Sequence, residues 1–324
     1  MYGMAGGEPT CVRVRVPSKV NLFLAIRGRR DDGYHELVTV LQTLSIYDTV
    51  RAVLDRPEGV HPATRRFMEL AFSHDGTDGV PLDDAENLAV RAARRLMEAT
   101  GVGRAVGDGH TTEVPITRLH LTKRIPVAAG MAGGSADAAA VLVALNHLWD
   151  VDLGRSELRE LAAELGSDVP FCVTGGTALA TGTGTATAQV LARGTYAWVV
   201  GISDEPLSTA DVYRAYDELG HTSDAEPDAV LQALRTGDAE ALGAALHNDL
   251  EVAACHLRPE LRGRRDALLE AGALGAIVSG SGPTVVGLAA SPQEAVALAD
   301  RVRDRFERVE VALSPAGGPE VVEP

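Results

Sequence analysis

Residues 126–139 read PVAAGMAGGSADAA. Gly130, Gly133 and Gly134 stand between a strand-like segment, Ile116–Thr122, and an Ala- and Leu-rich helical segment, Ser135–Trp149. Glycine lets backbone N–H groups come close to an anion, and the helix behind adds four unpaired N–H groups and the positive end of its dipole. Phosphate is the anion that suits such a loop, so a nucleotide site is the first expectation. The plain alternative is a turn that merely reverses the chain. Ser135 reads as a phosphate contact or as the N-cap of the helix, and the two roles are compatible. Two familiar phosphate loops are excluded. A Walker A loop needs GxxxxGK[ST], and Ser135 stands where its lysine would be. The dinucleotide fingerprint GxGxxG is absent, because position 132 is alanine.

Working outward, Thr10–Val16 alternates valine with polar residues, the period of a half-buried strand. Asn21–Ile26 is a second short apolar run, and Arg27–His35 a polar turn. Leu37–Val53 continues the strand pattern, while residues 55–84, rich in Asp, Pro and Gly, read as surface loops. Asn87–Ala99 has helical spacing and Gly101 is placed to end it. Helices follow at Glu157–Leu165, Thr209–Leu219, Pro227–Leu234, Ala239–Leu246, Pro259–Ala271 and 292–307. Further strands are expected at Gly176–Ala180, Tyr196–Ile202, Ala276–Val278, Val285–Leu288 and Arg308–Leu313. Strands and helices alternate, which indicates an α+β or α/β class. The turn-rich TGTGTATAQ suggests a change of domain near residues 175–195, giving domains at 1–190 and 191–324.

The chain has 324 residues, 45% of them hydrophobic, enough for a full core and for two domains by length. Its net charge of -15 argues against nucleic acid as a partner. An anionic substrate would need local cations and backbone dipoles. Cys11, Cys172 and Cys255 are widely separated and odd in number, so a reducing compartment is expected rather than a disulfide framework. The start, MYGMAGGEPTC, lacks the apolar run of a signal peptide, and no stretch of about 20 apolar residues could span a bilayer. A soluble, cytoplasmic protein is expected.

Three separated segments resemble one family. PVAAGMAGGSADAA resembles the Pro-x-x-x-Gly-Leu-Gly-Ser-Ser-x-Ala motif of the GHMP kinases, the galactokinase, homoserine, mevalonate and phosphomevalonate kinase superfamily. VPSKVNLFLAIRGRRDDGYHEL (16–37) is similar to the Pro-x-Lys-x-Asn-Leu…Gly-Tyr-His signature of one branch, the kinases of 4-diphosphocytidyl-2-C-methyl-D-erythritol. IVSGSGPTVVGL (277–288) resembles the third family motif. VLVALNHLW (141–149), LGSDVPF (165–171) and HNDLE (247–251) match between them, in order along nearly the whole chain. The resemblance implies a two-domain α+β fold with a ribosomal S5 domain 2-like N-terminal domain and a ferredoxin-like C-terminal domain. It also implies transfer of the γ-phosphoryl group of ATP to the 2-hydroxyl of that erythritol nucleotide, in non-mevalonate isoprenoid precursor biosynthesis.

The match carries roles residue by residue. The triphosphate falls to Pro126, Val127, Ala128, Ala129, Gly130, Met131, Ala132, Gly133, Gly134, Ser135 and Ala136, with Mg²⁺ as the counterion of ATP and no metal held by the protein itself. Asp168 matches the catalytic aspartate, expected to take the hydroxyl proton as transfer proceeds. Its plain alternative is a turn residue before Val-Pro. Lys19 matches the catalytic cation; a solvated surface lysine is the usual case, yet Lys19 lies between two apolar strands in a chain with one other lysine, Lys123. Asn21 is expected to hydrogen-bond the acceptor or Lys19. Tyr34 and His35 match the pair that stacks on and hydrogen-bonds the cytosine, against the alternative of a packed turn tyrosine and an exposed histidine. Tyr213 is a possible second stacking face. Arg27–Arg30 read as a solvated turn or as a contact for the substrate diphosphate. Gly280-Ser281-Gly282 reads as a wall of the site or as a tight structural turn. The family loop usually has glycine at Ala128 or Ala129 and often at Ala132. Ala129 is where the departure is expected to tell, and Ala129→Gly to leave activity intact or raise it. A homoserine- or mevalonate-type kinase, or a non-catalytic ATP-binding protein on the same fold, are the competing readings. Oligomeric state is not legible.

Overall fold

The computed structural model describes residues 10–55, 69–76, 79–81, 85–102 and 116–322. The tail expected over residues 1–9 and much of the 55–84 loop region lie outside the described residues.

The chain opens with β1 (Thr10–Arg29) and β2 (His35–Asp55), a long antiparallel pair. The two separate apolar runs expected in 10–26 are one strand, because bulges absorb the change of phase. The register shifts between Pro17 and Ser18, Asn21 and Phe23, and Ile26 and Gly28. Bulges bend a strand and re-aim its side chains. β3 (Glu69–Gly76) runs parallel to β4 (Ile116–Lys123), which pairs with the second half of β2. β3 falls where loops were expected. Its Leu70 and Phe72 pack on the core, and pairing with β4 supplies the order that its polar neighbours hide. α1 (Leu88–Thr100) is capped by the Asn87 side chain and closed by left-handed Gly101.

α2 (Gly133–Leu148) is buried nearly all round, its alanines letting it lie close to β1, β2 and α1. It starts two residues earlier than expected. Its N-cap is Ala132, not Ser135, and no side chain caps it. α3 (Arg155–Ala163) and the short α4 (Val169–Thr174) follow, then the hairpin of β5 (Thr177–Gly182) and β6 (Ala186–Gln189). β5 pairs with the first half of β2, over Leu37–Gln42.

β7 (Tyr196–Ile202) begins a second, four-stranded antiparallel sheet. After α5 (Thr209–Leu219), α6 (Asp228–Thr236) and α7 (Ala239–Ala245), the two-residue β8 (His247–Asn248) returns to β1 of the first sheet. α8 (Leu250–Leu257), unforeseen from sequence, and α9 (Glu260–Glu270) lead to β9 (Gly275–Val278) and β10 (Val285–Ala289). α10 (Pro292–Val302) ends in a turn of 3₁₀ helix and is shorter than expected. β11 (Arg308–Ser314) completes the second sheet in the order β11-β7-β10-β9, and β12 (Glu320–Val322) pairs back with β1. One large core joins the sheets, crossed by a buried relay. Trp198 Nε1 donates to Ser314 Oγ at 2.7 Å, Ser314 to Gln42 Oε1 at 2.5 Å, and Gln42 Nε2 to Thr177 Oγ1 at 2.8 Å.

A buried charge cluster fixes the entry to the glycine loop. Lys123 Nζ lies 2.5 Å from Asp48 Oδ2 and 2.7 Å from Asp137 Oδ2. Asp48 Oδ1 also accepts the N–H groups of Arg124 and Ile125, at 2.6 and 2.8 Å. The end of β4 and the first turn of α2 are thus pinned to β2. Burial pushes the Asp137 carboxyl well above the usual range; Lys123 opposes the rise and Asp48 adds to it. Burial pulls the Lys123 ammonium down, but the two carboxylates outweigh it and hold it above its ordinary value. Ionised Asp137 is therefore the strained member, and its Oδ1 has no hydrogen-bond partner.

A carboxyl whose folded pKa is raised stabilises fully below the ordinary Asp range and loses that contribution as pH climbs through the raised value. Asp137→Asn should therefore gain stability over wild type as pH rises from about 4 to about 8. Lys123→Met should cost about 3–5 kcal/mol by stranding two carboxylates. Thermal melts across that pH range and urea melts check the pair; a pH-independent Asp137→Asn shift would contradict the first. Ala128 and Ala132 hold φ of 50° and 56°, while Ala129 has no positive φ. The departure therefore tells at Ala128 and Ala132, not at Ala129 as expected. A left-handed alanine costs roughly 1–2 kcal/mol, partly offset in glycine by unfolded-chain entropy. Ala132→Gly should stabilise by about 0.5–1 kcal/mol, with no gain for Ala129→Gly, read by calorimetry.

Candidate active site

The bulges of β1 aim two polar side chains at the glycine loop. Lys19 and Asn21, two apart on a strand, share a face. The Lys19 side chain is 6% exposed. Its Nζ donates to Asn21 Oδ1 at 2.6 Å and to the carbonyl of Gly130 at 3.0 Å. Of the two partners expected for Asn21, the structure supplies Lys19. Asn21 Nδ2 donates to Thr39 Oγ1 at 2.9 Å, and Thr39 to the carbonyl of Phe23 at 2.6 Å. That chain fixes which end of the amide faces the lysine.

Asp168 stands at the turn between α3 and α4. Its carboxylate caps no helix N–H, so it is spare for another task. Its Oδ2 lies 3.6 Å from Lys19 Nζ, and its side chain is 31% exposed, open to the adjoining cavity. A buried ammonium thus sits beside a carboxylate that a substrate hydroxyl can reach.

The cavity has a volume of about 970 Å³. The glycine loop forms one wall through Ala128–Gly130 and Ala132–Ser135. Gly130 has φ of 74°, and a Cβ there would collide with the carbonyl of Ser279. Met131 and Ala136 point instead into the core, and Pro126 and Val127 do not line the cavity.

Tyr34, His35 and Tyr213 line another wall. The turn before β2 presents Tyr34, a residue 68% exposed. His35 stacks on Tyr213, with ring centroids 4.8 Å apart and planes at 27°. His35 Nε2 lies 2.7 Å from Asp217 Oδ1. In the neutral ring, with Nε2 donating to the carboxylate, Nδ1 would be the acceptor. Burial, then the charge of Asp168, pushes the Tyr213 phenol up to about 12, so it stays neutral.

Asp217 was missed in the sequence. The signal was its spacing, four residues after Tyr213 on the same face of α5. Thr209 carried no signal; it hydrogen-bonds at 2.9 Å to Ser281, whose Gly280-Ser281-Gly282 segment was read as a wall of the site or a tight turn, and both residues line the cavity. The Arg27–Arg30 run is scattered. Arg27 binds the carbonyls of Ser223 and Ala225, Arg30 binds Asp32 and Glu36, and Arg29 alone of the three lines the cavity. Among the described residues no group of three or more His, Cys, Asp or Glu is placed to hold a metal ion.

Comparison with known proteins places the chain in a family. The model of the GHMP kinase N-terminal domain matches residues 87–176 and that of the C-terminal domain residues 230–308. The chain is 45% identical over 322 residues to the 4-diphosphocytidyl-2-C-methyl-D-erythritol kinase of Nocardia farcinica, covering 98% of both chains. It is 49% identical over 301 residues to the kinase of the same name from Kineococcus radiotolerans, covering 90% of this chain and 86% of that one. A crystal structure of 4-(cytidine 5'-diphospho)-2C-methyl-D-erythritol kinase superposes with a TM-score of 0.73 at 33% identity, covering 94% of this chain and all of that one. The homoserine kinase of Cytophaga hutchinsonii, at 19% identity and a TM-score of 0.71 over 99% of this chain and all of that one, shares the fold. The chain belongs to the GHMP kinases, and within them to the 4-diphosphocytidyl-2-C-methyl-D-erythritol kinase family.

Proposed function

We propose that Lys19 and Asp168 are the catalytic pair with which this small-molecule kinase passes the γ-phosphoryl group of ATP to the 2-hydroxyl of 4-diphosphocytidyl-2-C-methyl-D-erythritol. The observation that carries the reading is the 3.6 Å approach of Lys19 Nζ to Asp168 Oδ2 beside the glycine loop. Phosphoryl transfer passes through a loose transition state, so positioning and charge stabilisation do the catalysis. Asp168 accepts the hydroxyl proton as the O–P bond forms, and Lys19 offsets charge on the transferring group. Asn21 holds Lys19 in place.

The triphosphate lies along Ala128–Gly130 and Ala132–Ser135, held by backbone N–H groups, the Ser135 hydroxyl and the N-terminus of α2. Each charge-assisted hydrogen bond contributes roughly 1.5–3 kcal/mol, enough together to offset the field of an acidic protein. These donors suit phosphate better than a bare cation; Mg²⁺, carried as the counterion of ATP, would neutralise phosphate charge there. The cytosine stacks on Tyr34, and the acceptor left on His35 Nδ1 suits its exocyclic amine. Tyr213 supports His35 from behind. A cytoplasmic setting, a division at residues 190 and 191, and no nucleic-acid partner complete the proposal. No helix among the described residues is long and apolar enough to cross a membrane.

Lys19→Ala and Asp168→Ala should each lower turnover by about 100- to 10,000-fold while the protein stays folded and binds ATP. Near-wild-type turnover in either would sink its role. Tyr34→Ala should raise KM for the cytidine substrate about tenfold and leave KM for ATP nearly unchanged. ADP release with the erythritol nucleotide, set against homoserine and mevalonate, tests the substrate directly.

A further inference from the structure

The HNDLE segment (247–251) matches a family sequence without having been given a task. We propose that Asn248 is a positioning residue that fixes Lys19 for phosphoryl transfer, by holding the second glycine loop (279–284) over the first. The inference rests on Lys19 being the catalytic cation.

One end of the segment is tied to the strand that carries Lys19. His247 and Asn248 pair in parallel with Phe23 and Leu24 of β1. The N–H of Asp249 donates to the carbonyl of Leu24 at 2.9 Å, and its buried carboxylate accepts the N–H of Ile26 at 2.7 Å. Hydrogen bonds from His247 and Ile26 outweigh burial and hold the Asp249 carboxyl below its usual range. The other end grips the second glycine loop. Asn248 Nδ2 donates to the carbonyls of Val278 and Gly280 at 2.8 and 2.7 Å, while its Oδ1 accepts the N–H of Leu250 at 3.0 Å. Glu251 Oε2 accepts the N–H of Val278 at 3.0 Å.

The loop so held rests on the catalytic groups. Ser279 Oγ donates to the carbonyl of Gly130 at 3.0 Å, the same oxygen that accepts Lys19 Nζ. A Cβ on Gly280 would stand 3.1 Å from Asn21 Oδ1 and 3.4 Å from Lys19 Nζ. The backbone of the second loop is therefore the lid over the buried ammonium. The two Asn248 donors set its height. Without them, two buried carbonyls lose their partners and the loop must shift to find others. A shift of that kind moves the Gly130 carbonyl and, with it, Lys19.

Asn248→Asp isolates this role. It keeps the shape and the acceptor for Leu250 N–H, but sets an acceptor against two carbonyls. We expect kcat to fall about 100-fold, with KM for both substrates within about threefold of wild type. In a Lys19→Ala background the same substitution should cause no further loss, because the group it positions is gone. A lowered melting temperature with kcat intact, or an equal fold-loss in the Lys19→Ala background, would overturn the proposal. If Asn248→Asp does not fold, Ser279→Ala carries the same test. It should lower kcat about fivefold to tenfold, again only when Lys19 is present; an unchanged kcat, or full additivity with Lys19→Ala, overturns the proposal. Wild-type turnover in Lys19→Ala alone would instead overturn the catalytic assignment beneath it.

Discussion

The carbonyl oxygen of Gly130 is where three segments distant in sequence meet. It accepts Lys19 Nζ from β1 and Ser279 Oγ from the second glycine loop, while the backbone of its own loop turns toward the cavity. A buried ammonium is costly unless its donors are taken up and a counter-charge is near. Lys19 meets that need with one carbonyl, one amide oxygen and one carboxylate. Moving any of the three segments would leave the charge under-solvated, so the lysine enforces the geometry it uses.

The scaffold for this meeting is the bulged pair of β1 and β2. An unbroken ladder would carry side chains in strict alternation. The register shifts around Lys19 and Asn21 let β2 pair with β5 on one half and with β4 on the other. The Asp48–Lys123–Asp137 cluster then locks the end of β4 to the start of α2, and so sets where the glycine loop begins. The two lysines of the chain serve different ends. Lys123 is enclosed by carboxylates away from the cavity, whereas Lys19 faces a carboxylate that remains open to it.

The overall charge of -15 runs against an anionic substrate. Residues of the glycine loop and of the N-terminal turn of α2 line one wall of the cavity, and Arg29 stands at another. Fields at hydrogen-bonding distance outweigh those of distant, screened surface carboxylates. Net charge therefore does not describe this site.

By itself the sequence determined the class of fold, most helices and strands, and many of the residues that line the cavity. These are local matters: periodicity, caps such as Asn87 and Gly101, and motifs whose residue types suit phosphate. The tertiary structure decided what depends on contacts across the chain. β3 looked like a loop because its order comes from pairing with β4. Ser135 looked like a cap because the left-handed turn at Ala132 cannot be read from composition. Asp217 became visible only when α5 brought it to His35, and the HNDLE segment only when β8 laid it between β1 and the second glycine loop. The glycine loop announces an anion from its residues alone. The close approach of Lys19 and Ser279 to it is a product of packing between segments more than a hundred residues apart, where local sequence carries no signal.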